Sequence, residues 1–479
     1  MAYRPLVLLA SGLSLWVLAS PVSAAGEWAA ITWDGAPSVV NGIVSLDPDG
    51  DGPQKAIVFV ATDNGVYYVN EQGVLAQALP PHVGQRVATI GTRDPDGDGP
   101  LPSRLIVGIQ PGAFAPTTLV EWDLSDFGDP STTILGTFDE DVRSVRSYDV
   151  DGDGDDELVA VGSFSSIDHN GLVLASRTAV LDEGAWSQLG TPPNSTCNAL
   201  ESVSCEQGAS AFACDGGSAL LLGGFFDQAG GQTCTMVARW DRAEQDWRPC
   251  AEGLPNGGAV RAIATVPSDA RADGTDLVCG GTLIAQCGAA LNGIGRYDGE
   301  AWNAFDFGLF GFVSSLVTFD VDGEGPQGAV LVAGGSMPTT TQGQPINRVG
   351  YFDGDGWQPL GGGIDAIGAN VNSLVPFDFD GDGPEPVSLV VAGSFGGALL
   401  GGPGGIPADH IGVWRTATAV GPCNEADLAV EFGVLDLSDI ALFVSAFTAN
   451  QAFADLDGNG VWDLADITIF VLAFLDGCP

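Results

Sequence analysis

The chain has 479 residues, 61 of them acidic against 16 basic, for a formal net charge of −45 at pH 7. Such a surface repels nucleic acid and anionic lipid and favours solubility and divalent cations. A hydrophobic fraction of 45%, an aromatic fraction of 8% and 69 glycines exclude an acidic disordered chain and point to a folded all-β protein of short strands and tight turns.

Residues 1–24 have a short basic start at Arg4, an apolar run from Leu6 to Leu18, and Val22-Ser-Ala24 as a cleavage site. This is the pattern of a secretory signal peptide, so the mature chain is expected to begin at Ala25 and to be secreted, extracellular or associated with the cell surface. The alternative is a retained anchor, for which the apolar core is short and Pro21 unfavourable. No later run approaches the roughly 20 apolar residues that span a bilayer.

A repeat fills residues 25–417. Val313-Ser-Ser-Leu-Val-Thr-Phe-Asp-Val-Asp-Gly-Glu-Gly325 returns as Val371-Asn-Ser-Leu-Val-Pro-Phe-Asp-Phe-Asp-Gly-Asp-Gly383. Each copy leads into an apolar strand ending in Gly, Val330-Leu-Val-Ala-Gly-Gly335 and Leu389-Val-Val-Ala-Gly-Ser-Phe395, an end that lets neighbouring units approach. A third segment such as Arg348-Val-Gly-Tyr-Phe-Asp-Gly354 and a closing strand such as Trp357-Gln-Pro-Leu-Gly361 complete the unit. Turn acids at Asp47, Asp94, Asp149, Asp215, Asp273, Asp320 and Asp378 mark seven units. Four short strands at this period predict β-propeller blades, whose inner strands are buried from both faces.

The seventh unit stops after Ile411-Gly-Val-Trp414 without a closing strand, and Trp28-Ala-Ala-Ile-Thr32 has no unit before it. Pairing the two closes a ring and removes open edges. A seven-bladed β-propeller is therefore expected. Six or eight blades are alternatives because the unit around Cys197 to Asp215 is irregular, and a β-solenoid or an array of sandwiches is the structural rival. The repeats resemble the Trp-Asp-Gly-rich repeats of exported bacterial β-propellers, and faintly kelch and FG-GAP repeats.

Within this region, Asp149-Val-Asp151-Gly-Asp153-Gly-Asp155-Asp-Glu157 offers oxygen donors at positions 1, 3, 5 and 9, much as in the calcium loops of FG-GAP propellers. Asp149, Asp151, Asp153 and Glu157 are its candidate ligands. The loops from Asp47, Asp94 and Asp378 carry Pro53, Pro100 and Pro384 at position 7 and no acid at position 9, so they read as polar turns. Cys197, Cys205, Cys214, Cys234, Cys250, Cys279 and Cys287 match no common zinc spacing, and in an exported chain they suggest disulfides. His82, His169 and His410 fall in unrelated loops and read as exposed residues. No hydrolase elbow, phosphate loop or nucleotide fingerprint is found, so no catalytic residue is assigned. Carboxylates are abundant enough to leave a glycosidase pair open.

The last element is a tandem loop-plus-helix pair between Cys423 and Cys478. Asp455-Leu-Asp457-Gly-Asn459-Gly-Val461-Trp-Asp463-Leu-Ala-Asp466 follows the calcium-loop spacing of positions 1, 3, 5, 7, 9 and 12 with Gly460 at the turn. The ligands would be Asp455, Asp457, Asn459, the Val461 carbonyl, Asp463 and Asp466, the last a shorter Asp where Glu is usual. An imperfect copy starts at Asp427, with Ala429 at position 3 and one extra residue before Asp439. Residues 418–479 thus resemble a small all-α dockerin domain of the cysteine-flanked, Gly-Cys-ending type. The resemblance implies calcium as cofactor and a cohesin-like protein module as docking partner. A Cys423–Cys478 disulfide would tie the ends, a loop closure of about 4 kcal/mol in the chain-entropy model. Phe443, Phe447, Phe470 and Phe474 either present a docking surface or form the core, and their helical spacing favours core.

Two functions follow. One is a secreted binding or scaffold protein whose propeller face meets a ligand, polysaccharide or protein, while the tail docks. The other is a secreted carbohydrate-active hydrolase or lyase anchored by the same tail.

Overall fold

A computed structural model describes residues 26–31, 39–48, 55–69, 75–77, 85–94, 103–112, 115–125, 130–204, 218–250, 253–254, 257–267, 275–283, 291–323, 328–379, 386–416, 426, 437–448, 454, 456 and 461–476. Seven antiparallel sheets of at least four strands form in chain order among them. Their first strands are Val40–Leu46, Arg86–Arg93, Val142–Tyr148, Cys197–Ser204, Val260–Pro267, Leu309–Phe319 and Asn370–Phe377. Each first strand packs against those of the sheets before and after it, and the seventh packs on the first. The ring encloses a channel of about 680 Å³ lined by all seven.

The repeat Val-x-small-Ile/Leu/Val explains how each inner strand serves two neighbours. In every one the pairing to the next strand slips by one residue near its start, between Val40 and Gly42, Val142 and Ser144, Val260 and Ala262, and Val371 and Ser373, for example. A bulge of this kind adds one unpaired residue and resets the alternation of faces. In a regular strand the first and fourth residues point oppositely. Here both pack on the preceding sheet, while the seventh packs on the following one. Val142 and Val145 join the cluster with Ile106 and Leu119, whereas Tyr148 joins the cluster with Leu200 and Leu220. Val260 and Ile263 likewise lie with Leu221, and Val266 with Leu331.

The core is therefore distributed between sheets. The second strand of each sheet, not the first, is the continuously buried one: Glu157–Gly162 is buried at every position. The apolar runs ending in Gly sit here, while the innermost strands turn polar residues to the channel. The glycines permit the close approach. A Cβ on Gly280 would lie 2.6 Å from Val313 Cγ1 of the next sheet, and one on Gly334 would lie 2.5 Å from Val371 Cγ1. Tryptophans stitch the same seams from outside. Trp240 Nε1 donates to the Val150 carbonyl at 2.8 Å, and Trp414 Nε1 donates to the Val321 carbonyl at 3.0 Å, each reaching the preceding sheet.

The seventh sheet draws on both ends of this region. Gly26–Ala30 pairs antiparallel with Ile411–Thr416, setting Trp28 opposite Trp414. The closing strand lies two residues earlier than the expected Trp28–Thr32. The second sheet has six strands because the hairpin Ser166–Asp168 and Leu172–Leu174 leaves the third unit and adds to Ser131–Phe138.

The described tail residues form helices α1 (Leu437–Thr448) and α2 (Leu464–Asp476). Their contact is aromatic, with Phe443 stacked on Phe470 at 4.1 Å and both buried. Among the described residues no helix is long and apolar enough to cross a membrane. Residues 1–24, Cys423 and Cys478 lie outside the described residues.

Candidate functional site

Three places carry chemistry: the Asp149 loop, the C-terminal loop and the channel. The first follows directly on an inner strand. Asp149, Asp151 and Asp153 bring carboxylate oxygens within 4.8 Å of one another. The Gly152 N–H donates to Asp149 Oδ1 at 2.6 Å, the Asp153 N–H to Asp151 at 3.1 Å and the Asp155 N–H to Asp153 at 2.9 Å, so the backbone orients each acid. Oxygen donors converging on one point suit a hard cation such as calcium. Glu157 takes a different position. It is buried, and its Oε2 accepts the Val150 N–H at 2.8 Å. Burial pushes its carboxyl up to about 7, against the lowering effect of that hydrogen bond. Arg242 approaches from the next sheet, its Nε donating to the Asp149 carbonyl at 2.7 Å and its guanidinium 3.6 Å from Asp149 Oδ2.

In the C-terminal loop, Asp455, Asp457 and Asn459 lie outside the described residues. Asp466 is fully buried; it accepts the Leu456 N–H at 2.8 Å and the Asp463 N–H at 2.9 Å. One carboxylate thereby ties the start of the loop to its end. Asp463 caps α2, its Oδ1 accepting the Ala465 N–H at 2.7 Å. Val461 is exposed. These side chains fit a cation-ordered loop, because an aspartate at the twelfth position enters the turn from the first residues of the helix. Phe443 and Phe470 are core residues, with Phe447 and Phe474 packed against them.

The polar and cationic lining of the channel is the feature that sequence reasoning missed. The bulge residue of each inner strand is free of the ladder and lines it: Asn41, Ala88, Arg143, Asn198, Arg261, Ser314 and Asn372. Several tie one sheet to the next. Asn41 Nδ2 donates to the Val87 carbonyl at 2.8 Å, Asn198 Nδ2 to the Val260 carbonyl at 3.0 Å and Asn372 Nδ2 to the Val40 carbonyl at 2.6 Å. Arg143 donates to Asn198 Oδ1 at 2.6 Å. Among the described lining residues the carboxylate is Glu201, ion-paired to Arg146 at 2.9 Å. The signal was present as the second residue of each Val-x-small motif, but its meaning depends on the bulge.

Two expectations are corrected. Cys197, Cys234, Cys250 and Cys279 are free and buried, not disulfide-bonded. Each fills an apolar position, Cys197 standing where other inner strands begin with Val, and burial pushes the Cys234 and Cys250 thiols up to about 12. They act as small hydrophobes. Cys205, Cys214 and Cys287 lie outside the described residues. His410 is buried, not exposed, tilted against Phe395 with ring centroids 6.4 Å apart. His169 is half-buried, its Nε2 3.1 Å from the Gly184 carbonyl, and His82 lies outside the described residues.

Inner strands around one channel, with a sheet closed by two distant segments, decide the architecture. The fold is a β-propeller. No family model matches the chain, and no curated protein matches it. Among solved structures it is similar to Sqt1 of Chaetomium thermophilum, at 12% identity over 83% of this chain and 98% of that one, with a TM-score of 0.38. It is also similar to the Pan2 WD40 domain of Neurospora crassa, at 10% identity over 83% and 97%, TM-score 0.40. An α-L-arabinanase of Penicillium chrysogenum gives 11% identity over 80% and 94%, TM-score 0.35. Likenesses at this level transfer no residue role to this propeller.

Proposed function

We propose that this chain is an exported binding and scaffold protein: a seven-bladed propeller presents an interaction face, and a dockerin-like, calcium-ordered module anchors it to a cohesin-like partner. The carrying observation is the division of faces on α1 and α2. One face is closed by the Phe443–Phe470 stack, while Leu464, Val471, Leu472 and Leu475 stand exposed at 74%, 45%, 60% and 75%. Apolar side chains in such a row mark a protein-binding surface. Calcium held by Asp455, Asp457, Asn459, Val461, Asp463 and Asp466 would fix the start of α2 and with it that row. A second ion at Asp149, Asp151 and Asp153 would stiffen one rim of the propeller.

Calcium titration of the full chain by calorimetry tests the reading, beside an Asp455→Ala/Asp457→Ala variant. The tail site should vanish in the variant while heat from the Asp149 loop persists. Binding to a cohesin-like module should require calcium and be lost in Leu472→Asp. Identical titrations of the two proteins would remove the docking mechanism. A glycoside hydrolase working in the channel would need a second carboxylate beside Glu201 among its described lining residues, and the ring of amide, hydroxyl and guanidinium groups there supports binding instead.

A further inference from the structure

Several arginines of this acidic chain are held by its acids. Arg93, Arg104, Arg146, Arg239, Arg242 and Arg296 each hold a carboxylate within 3.6 Å. Arg261 has no carboxylate so placed among the described residues. Its guanidinium lies over the Phe312 ring, 5.1 Å from the centroid. Two strands back in the ring, Arg143 meets Asp141 only at a long 3.7 Å and is fixed by the Asn198 carboxamide. Asp141 is itself held by Gln110, whose Nε2 donates to it at 2.7 Å.

Both arginines are bulge residues on exposed positions that line the channel. They stand at the mouth where the inner strands begin, on either side of Asn198. They are close enough to repel: burial lowers the pKa of Arg261, and the charge of Arg143 lowers it further. Two preoriented like charges, one on an aromatic face and one on an amide oxygen, leave guanidinium N–H groups for an anion. The described acids Asp94, Asp149 and Asp320 follow their inner strands and lie towards the opposite mouth, while at this one Asp141, beside Arg143, is already held by Gln110. The channel is also lined by Ser144, Ser314 and Ser315, whose hydroxyls can hydrogen-bond a ligand. Its volume of about 680 Å³ falls in the range of small-molecule sites.

We propose that this mouth binds an acidic sugar, with its carboxylate or sulfate between Arg143 and Arg261 and its hydroxyls on the serine side chains of the channel. The proposal rests on the reading of the propeller as a binder and names its ligand class. Asn198 and Phe312 act as positioning residues.

Calorimetry on the full chain at low ionic strength, with glucuronate, glucose 6-sulfate and glucose as probes, tests it. At least one acidic sugar should bind and glucose should not, and the stronger of the two acids identifies the oxyanion. Arg143→Gln and Arg261→Gln should each weaken that binding about tenfold, and added salt should weaken it in the wild type. Arg261→Lys, which keeps the charge, should retain part of it, and thermal melts should match the wild type. Acidic-sugar binding unchanged in the Gln variants would overturn the site. So would glucose binding as tightly as glucuronate, or heat from none of the three. Calcium-dependent docking is read in separate titrations, so the binder reading can survive the loss of this ligand.

Discussion

Glu157 joins the acidic Asp149 loop to the first fully buried strand, and its surroundings oppose its charge. Its carboxyl rises from 4.5 to about 7, so the folded chain keeps a proton that the unfolded chain releases between those values. Stability contributed by this group is present below the unfolded value and lost as pH rises towards 7. Glu157→Gln keeps an acceptor for the Val150 N–H without the charge. In calcium-free buffer the variant should gain about 2–4 °C in melting temperature on the wild type between pH 5 and pH 8. A difference independent of pH would mean that Glu157 is ionised in the fold. The close grouping of Asp149, Asp151 and Asp153 was legible in the chain; the inward turn of Glu157 was not, because it depends on which strand face is covered.

At the scale of the element, the bulge sets the phase of every inner strand and the tryptophans lock the seams. Trp240→Phe keeps most of the ring volume but leaves the Val150 carbonyl with only the Gln245 side chain, at 2.9 Å. The loss should be about 1–3 kcal/mol, read by denaturant unfolding with an unchanged slope. Gly280→Val would push a branched side chain onto Val313 of the next sheet, at a cost of about 1–3 kcal/mol or more. Tolerance of that change would mean the sheets can separate without penalty. The four-strand repeat, its Gly ends and its Trp positions were all visible in the chain. The bulge was hidden, since Val-Asn-Ser-Leu-Val reads as ordinary alternation until the pairing partner is known.

For the whole molecule, closure depends on a five-residue strand. Gly26–Ala30 completes a sheet whose other strands come from residues 370–416, and Trp28 meets Trp414 edge-on at 5.4 Å while donating to the Leu360 carbonyl. Trp28→Ala removes a large buried side chain at the seam between the sixth and seventh sheets. It should cost about 3–5 kcal/mol in denaturant unfolding and promote association through the exposed edge. A cost below about 1 kcal/mol would show that the ring does not depend on its clasp.

The chain alone determined the all-β repeat, the phase that leaves one strand missing at the end and one spare at the start, and the acidic spacing of the two loops. These follow from local periodicity and turn chemistry, which need no partner to be read. Only the tertiary structure decided that the second strands form the core, that four cysteines are buried thiols, and that Arg143 and Arg261 stand on the inner strands either side of Asn198. Those facts join residues tens of positions apart or more, and the packing of successive sheets around the ring brings them together.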